Sequence, residues 1–89
     1  MPNEITLPIV HLNGTSARDL TEGYLECARA ISEALGAIRK LEFNWRDYYP
    51  KPGSWELARS EMVCRIESLE DMKGEFETIA MHCSNFIKP

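Results

Sequence analysis

Two long segments of this chain repeat apolar residues at helical spacing, and a stretch with two prolines separates them. Pro50 and Pro52 exclude one continuous helix, because proline lacks a backbone N–H and clashes with the preceding turn. The stretch, residues 42–54, reads EFNWRDYYPKPGS and is far more aromatic than a plain helix connection, which needs only about 2–8 residues. The pattern predicts an all-α fold, a long antiparallel helical hairpin with an aromatic loop.

The first segment predicts a helix over residues 16–41. Its apolar residues alternate at spacings of three and four, so they form one stripe: Leu20, Tyr24, Cys27, Ile31, Ala34 or Leu35, Ile38 and Leu41. We expect the stripe, including the Cys27 thiol as a small hydrophobe, to face the core. Part of the helix surface carries only short side chains, so another helix can approach it closely. These small residues are Gly23, Ala28, Ala30, Ala34, Gly36 and Ala37.

The second segment predicts a helix over residues 55–87. Its apolar stripe is Ala58, Met62, Ile66, Leu69, Met72, Phe76, Ile79, Cys83 and Ile87. At 1.5 Å per residue this helix is roughly 50 Å long and the first roughly 38 Å, so the first cannot cover all of the second. The excess must pack on the N-terminal arm, the loop or another subunit.

Residues 1–15 predict an extended arm and a turn. Ile5, Leu7, Ile9 and Leu12 alternate partly, but Pro8 restricts the segment to an edge or an arm lying across helices. A single domain of 89 residues buries only about 60–65% of its unfolded surface. A lone hairpin of this size is therefore marginal, and we expect a homo-oligomer in the form of a helical bundle.

Charge and composition exclude several classes of function. The net charge of −4 and the absence of a basic face argue against binding long nucleic acids. No apolar run is long enough for a membrane span. Three widely spaced cysteines do not form a disulfide framework. His11 and His82 lack metal-ligand spacing, so we expect no bound metal and no cofactor. No serine lies in a nucleophile elbow, so we expect that the protein is not an enzyme.

The segment 11–16, read HLNGTS, supports two interpretations. As a structural element, Asn13-Gly14 is a turn and Ser16, with Asp19 three residues later, caps the first helix. As a binding element, the free N–H groups at the start of a helix attract anions. The side chains that would join them are His11, Asn13, Thr15 and Arg18.

The loop motif RDYYP also supports two interpretations. In a structural plug, Arg46 and Asp47 pair locally while Tyr48 and Tyr49 pack over the helix ends. In a ligand site, aromatic faces stack planar bases and an arginine binds phosphate. That site would use Trp45, Arg46, Asp47, Tyr48 and Tyr49. The two motifs lie at opposite ends of the first helix, so one chain cannot easily place both in one pocket, whereas two protomers in antiparallel arrangement can.

HLNGTS and RDYYP, with two helices around them, resemble a group of small helical proteins encoded by phages and prophages. The resemblance covers about residues 9–85, although the group more often reads Asn-Gly-Arg-Asp-Tyr-Tyr, and Trp45 stands here in place of the glycine. It implies a phage origin and action in the bacterial cytoplasm. By analogy with phage sponges of immune signals, we expect a binder of nucleotides or cyclic nucleotides. The alternative is a helical interaction module, such as an inhibitor of a host defence protein or a phage accessory factor.

Overall fold

The computed structural model describes residues 4–88, so Met1 to Asn3 of the predicted arm and Pro89 lie outside the described residues. Two helices, α1 (Ala17–Lys40) and α2 (Ser54–Ser84), pack side by side as a hairpin. A 3₁₀ turn, Trp45–Asp47, lies in the loop between them. The predicted all-α hairpin is confirmed, and no strand occurs within residues 4–88. Neither helix has a stretch long and apolar enough to cross a membrane.

The helix ends follow the local sequence. The Ser16 hydroxyl accepts a hydrogen bond from the Asp19 N–H at 3.1 Å, which is the predicted N-cap of α1. At the other end of the hairpin, Gly53 precedes α2 with a φ of 83°, a left-handed conformation that favours glycine. Helix α2 ends three residues before the predicted position. The N–H groups of Asn85 and Ile87 bond to carbonyls three residues back, which tightens the last turn.

The core of the hairpin is narrow because small residues let the two helices approach closely. Its buried apolar residues are Ala17, Ala28, Leu35, Ala58, Ala80 and Cys83. Beside them the rings of Tyr24 and Phe76 lie 5.9 Å apart. The buried hydroxyl of Thr21 donates to the Ala17 carbonyl at 2.8 Å, and no buried side-chain nitrogen or oxygen within residues 4–88 lacks a hydrogen-bond partner.

The prediction for Cys27 is wrong, whereas the prediction for Cys83 is confirmed. Cys83 is fully buried, but Cys27 is exposed. The buried seam of α1 runs through Thr21, Ala28 and Leu35, and is rotated away from the centre of the predicted stripe. Leu35 belongs to both the predicted stripe and the buried seam, whereas Cys27 lies to one side of that seam and is left in solvent.

The N-terminal arm lies against the C-terminal end of α2. Residues 4–10 form neither helix nor strand, and the Pro8 carbonyl lies 2.9 Å from Nε2 of the His82 ring. This contact joins two residues that are 74 positions apart in the sequence. Ile9 and Leu12 point away from the helices and are 81% and 97% exposed. The arm therefore covers one helix end while presenting apolar side chains of its own.

The chain is a rod rather than a compact unit. It measures 61 × 25 × 17 Å and has a radius of gyration of 18.3 Å. A compact domain of this length would have a radius of about 12 Å. Its accessible surface is 6957 Å², where a compact protein of this mass exposes about 5,300 Å². Much apolar surface therefore stays in contact with solvent in the single chain.

Candidate functional site

The aromatic loop divides into two groups of side chains. The inner cluster consists of Phe43, Tyr48 and Trp55, all half-buried. The Phe43 ring lies 5.0 Å from Trp55 and 5.8 Å from Tyr48, and Tyr48 lies 5.6 Å from Trp55. These tilted and edge-on contacts are the favoured geometries for aromatic pairs. The inner cluster therefore closes the end of the hairpin, as the structural plug interpretation predicts for Tyr48.

The outer pair consists of Trp45 and Tyr49. Their rings stack with centroids 4.9 Å apart and an interplanar angle of 28°. Trp45 is 55% exposed and Tyr49 is 58% exposed, so the pair adds little to the core. The plug interpretation expected Tyr49 to pack over the helix ends together with Tyr48, but it does not. The outer pair leaves broad aromatic surface facing solvent at the tip of the rod.

The backbone of the loop holds the outer pair in place. The amide oxygen of Asn44 accepts from the Arg46 N–H at 2.9 Å and caps the 3₁₀ turn. The N–H groups of Tyr48 and Tyr49 both bond to the Trp45 carbonyl, at 2.9 and 3.0 Å. Residues four apart in such a helical turn lie on the same face, which is why Tyr49 stacks on Trp45. Asn44 was not among the predicted site residues, although an asparagine before a turn commonly bonds to the backbone two residues on.

Arg46 and Asp47 do not form the ion pair that the plug interpretation included. The Arg46 Nε group lies 3.5 Å from the Asn44 amide oxygen, and both Arg46 and Asp47 are exposed. No salt bridge within residues 4–88 joins them. The Arg46 guanidinium is thus accessible beside the outer pair.

The tip of the rod is also the most basic part of the chain. Residues 39–51 carry four basic side chains, Arg39, Lys40, Arg46 and Lys51, against Glu42 and Asp47. Helix α2 begins beside Lys51 with no side-chain cap, so free N–H groups add positive potential there. A hollow of about 320 Å³, lined in part by Tyr48, Lys51 and Leu57, opens at this point. Sequence reasoning missed Lys51, and only its position before Gly53 indicates such a role.

The second motif lies at the opposite end of α1. The His11 carbonyl accepts from the Gly14 N–H at 3.1 Å, and the His11 ring lies so close that a Cβ on Gly14 would be 2.9 Å from Nε2. Asn13, Thr15 and Arg18 are all exposed. The turn and cap interpretation is confirmed for this segment, while its polar side chains stay accessible.

One chain does not bring the two motifs together. The 24 residues of α1 separate them by about 36 Å along the helix axis. His11, Asn13, Thr15 and Arg18 therefore lie at one end of the rod, while residues 45–49 lie at the other. Within residues 4–88, no three His, Cys, Asp or Glu side chains gather closely enough to hold a metal ion. Comparison with known protein families, with curated proteins and with solved structures finds no match to this chain.

Proposed function

We propose that this protein is a non-enzymatic binding protein of phage type that sequesters a nucleotide-like small ligand, such as an immune signal of the bacterial host, in pockets between subunits. The observation that carries the proposal is the outer pair, Trp45 and Tyr49, stacked and more than half exposed beside the accessible Arg46. A contiguous exposed apolar patch is typical of a binding surface. A planar base is a natural partner, because each stacked base contributes about 1–3 kcal/mol.

The charges at the tip suit an anionic ligand. Arg46 can bind a phosphate through two parallel N–H groups, and Lys51 adds a second positive charge nearby. A small ligand has few negative charges, so the overall charge of −4 does not oppose its binding as it opposes binding of long nucleic acids. In the complete pocket, Asn13, Thr15 and Arg18 of another subunit supply polar contacts to the same ligand. Such a protein acts in the bacterial cytoplasm, where nucleotide signals are made.

Thermal unfolding tests this function directly. The purified protein is heated with about 100 µM of cyclic dinucleotides, cyclic trinucleotides or derivatives of adenosine-diphosphate-ribose. A ligand present at 100 times its dissociation constant stabilises the folded state by about 2.7 kcal/mol. For a domain of this size, that free energy raises Tm by roughly 10–20 °C. No rise with any of these compounds, in a sample that is well folded, contradicts the proposal.

Variants of arginine locate the ligand. Arg46→Ala removes the phosphate contact without affecting the core, so we expect the ligand-induced rise in Tm to disappear and the helical circular dichroism to persist. Arg65→Ala is the matched control, because Arg65 is an exposed arginine in the middle of α2, paired only with Glu61. It should leave ligand binding unchanged. If Arg46→Ala unfolds the protein instead, Arg46 is structural and the site is wrongly placed.

A helical interaction module is the second candidate function. It is favoured by Leu41 and Leu57, which are 56% and 66% exposed near the same tip, since an aromatic and aliphatic patch is typical of a protein-binding surface. A host defence protein or a phage component would then occupy it. Affinity purification from bacterial lysate distinguishes the two functions. A protein retained in stoichiometric amount, and lost in the Tyr49→Ala variant, supports the interaction module.

A further inference from the structure

Helix α1 carries a second packing seam that the hairpin does not use. Its members alternate at spacings of three and four along the whole helix: Leu20, Gly23, Cys27, Ala30, Ala34, Ala37 and Leu41. We name them the α1 seam. All except the half-buried Leu20 are exposed, and a Cβ built on Gly23 meets no atom within 4 Å. Since glycine weakens a helix relative to alanine, and the hairpin makes no use of the space at Gly23, the single chain gives no reason for this residue.

We propose that the α1 seam packs against the α1 seam of a second copy, antiparallel and related by a two-fold axis. We further propose that this dimer brings the HLNGTS turn of each chain beside the aromatic loop of the other. The proposal deepens the proposed function and rests on it for the role of the shared site. A two-fold interface uses the same surface on both partners, so one seam is sufficient.

Side-chain sizes select the antiparallel direction. When the midpoints of two α1 helices are aligned, Ala17 of one faces Lys40 of the other. Leu20 then faces Ala37, Gly23 faces Ala34, and Cys27 faces Ala30. Each layer holds at most one large side chain, so the helices can approach evenly along their length. A parallel pair would place Leu20 on Leu20 and Leu41 on Leu41, so the two ends of the seam would be wide while the layers between them, such as Gly23 on Gly23, would be narrow.

The exposed surface of the single chain is large enough for this interface. The rod exposes about 1,600 Å² more than a compact protein of its mass. Each partner in a standard interface buries about 800 Å². The flanking charges do not oppose the contact. Asp19 lies near the partner's Lys40, and Glu26, which lies near the partner's Glu33, is already paired with Arg29 of its own chain.

The same register assembles the site. Ser16, the N-cap of α1, faces the partner's Leu41, and the aromatic loop follows directly after Leu41. Residues 11–16 of one chain therefore lie at the level of the first loop residues of the other. By symmetry the dimer holds two such sites, one at each end. The distance of about 36 Å that separates the motifs in one chain becomes the distance between the two sites.

Cysteine cross-linking tests both the contact and its direction. In a Cys27→Ser, Cys64→Ser background, we compare the double variant Gly23→Cys, Ala34→Cys with each single variant. Opposed positions in close-packed helices come within the 4.4–6.8 Å between Cα atoms that a disulfide requires. We therefore expect a covalent dimer of the double variant after mild oxidation, with a bond between the two introduced thiols from different chains. Each single variant should stay uncross-linked, because its thiols would be about 16 Å apart along the axis.

Two results would overturn the proposal. Cross-linking of both single variants would show a parallel pair, and a double variant that does not cross-link would show that the seams do not meet. Analytical sedimentation measures self-association without any introduced thiol and provides a second test, in which the unsubstituted chain is compared with two variants. Ala34→Glu places a charge in the seam and should weaken self-association by about 100-fold or more, whereas Ser60→Glu on the exposed face of α2 should not change it. If the two variants self-associate equally strongly, packing between two α1 seams is also contradicted.

The tests of the α1 interface and the test of ligand binding can succeed or fail independently. Cross-linking of the double variant alone, without stabilisation by any nucleotide, supports the interface and contradicts the nucleotide function. A nucleotide that stabilises a protein shown to be monomeric contradicts the interface and leaves the ligand proposal standing.

Discussion

The division of the loop into an inner cluster and an outer pair can be tested with two adjacent tyrosines. Tyr48→Ala removes a half-buried ring that contacts both Phe43 and Trp55. Each aromatic contact contributes about 0.5–1.5 kcal/mol beyond the area it buries, so two contacts and half the burial of the ring amount to roughly 2–3 kcal/mol. Tyr49→Ala removes a ring that is 58% exposed and has one aromatic contact, which is worth about 0.5–1.5 kcal/mol.

Thermal and denaturant unfolding measure the difference. For a domain of this size, 1 kcal/mol corresponds to about 4–8 °C in Tm. Tyr48→Ala should therefore lower Tm by roughly 10–20 °C, and Tyr49→Ala by less than about 10 °C, at one fixed protein concentration because self-association affects Tm. Tyr48→Phe and Tyr49→Phe serve as controls that keep the ring. If Tyr49→Ala costs as much as Tyr48→Ala, the outer pair belongs to the core and is not an open binding surface.

Four further variants test the helix ends, the interior of α2 and the arm. Ser16→Ala removes the N-cap of α1 and should cost about 1 kcal/mol in the free energy of unfolding, measured with urea. Gly74→Ala should raise that free energy by about 0.5–1 kcal/mol, because a Cβ there meets nothing, whereas Gly53→Ala should lower it by roughly 1–2 kcal/mol because of the left-handed backbone. His82→Ala removes the hydrogen bond to Pro8 and should make the arm more susceptible to limited proteolysis, with little change in helical content.

The helices and their ends could be predicted from the sequence because their signals are local. Pro50 and Pro52 fix the break between the helices, and Ser16 with Asp19 fixes the start of α1 to within one residue. Such caps and breaks act through backbone groups a few residues away, so tertiary packing does not change them. The end of α2 depends on a 3₁₀ turn rather than on a breaking residue, which is why it was placed three residues too late.

The site could be predicted only in its residue types. The sequence indicated that aromatic and basic side chains meet in the loop, but it gave Tyr48 and Tyr49 the same role. Their separation depends on Trp55, which lies outside the loop motif and draws Tyr48 inward. The place of Tyr49 depends on the backbone turn after Asn44. Neither effect is visible from residue types alone, because the first arises from a contact between the loop and α2 and the second from hydrogen bonds within the loop backbone.

The error at Cys27 has the same physical origin as the proposed dimer. The buried seam through Thr21 and Leu35 and the α1 seam through Cys27 and Ala34 are adjacent and have the same spacing. In the sequence they merge into one broad apolar stripe, and periodicity alone cannot say which part meets which neighbour. A helix with two adjacent seams has enough apolar surface for two helical neighbours, and the hairpin supplies only α2. In the proposed dimer the second neighbour comes from outside the chain, and an antiparallel α1 is the one that would also complete the proposed site at each end of the rod.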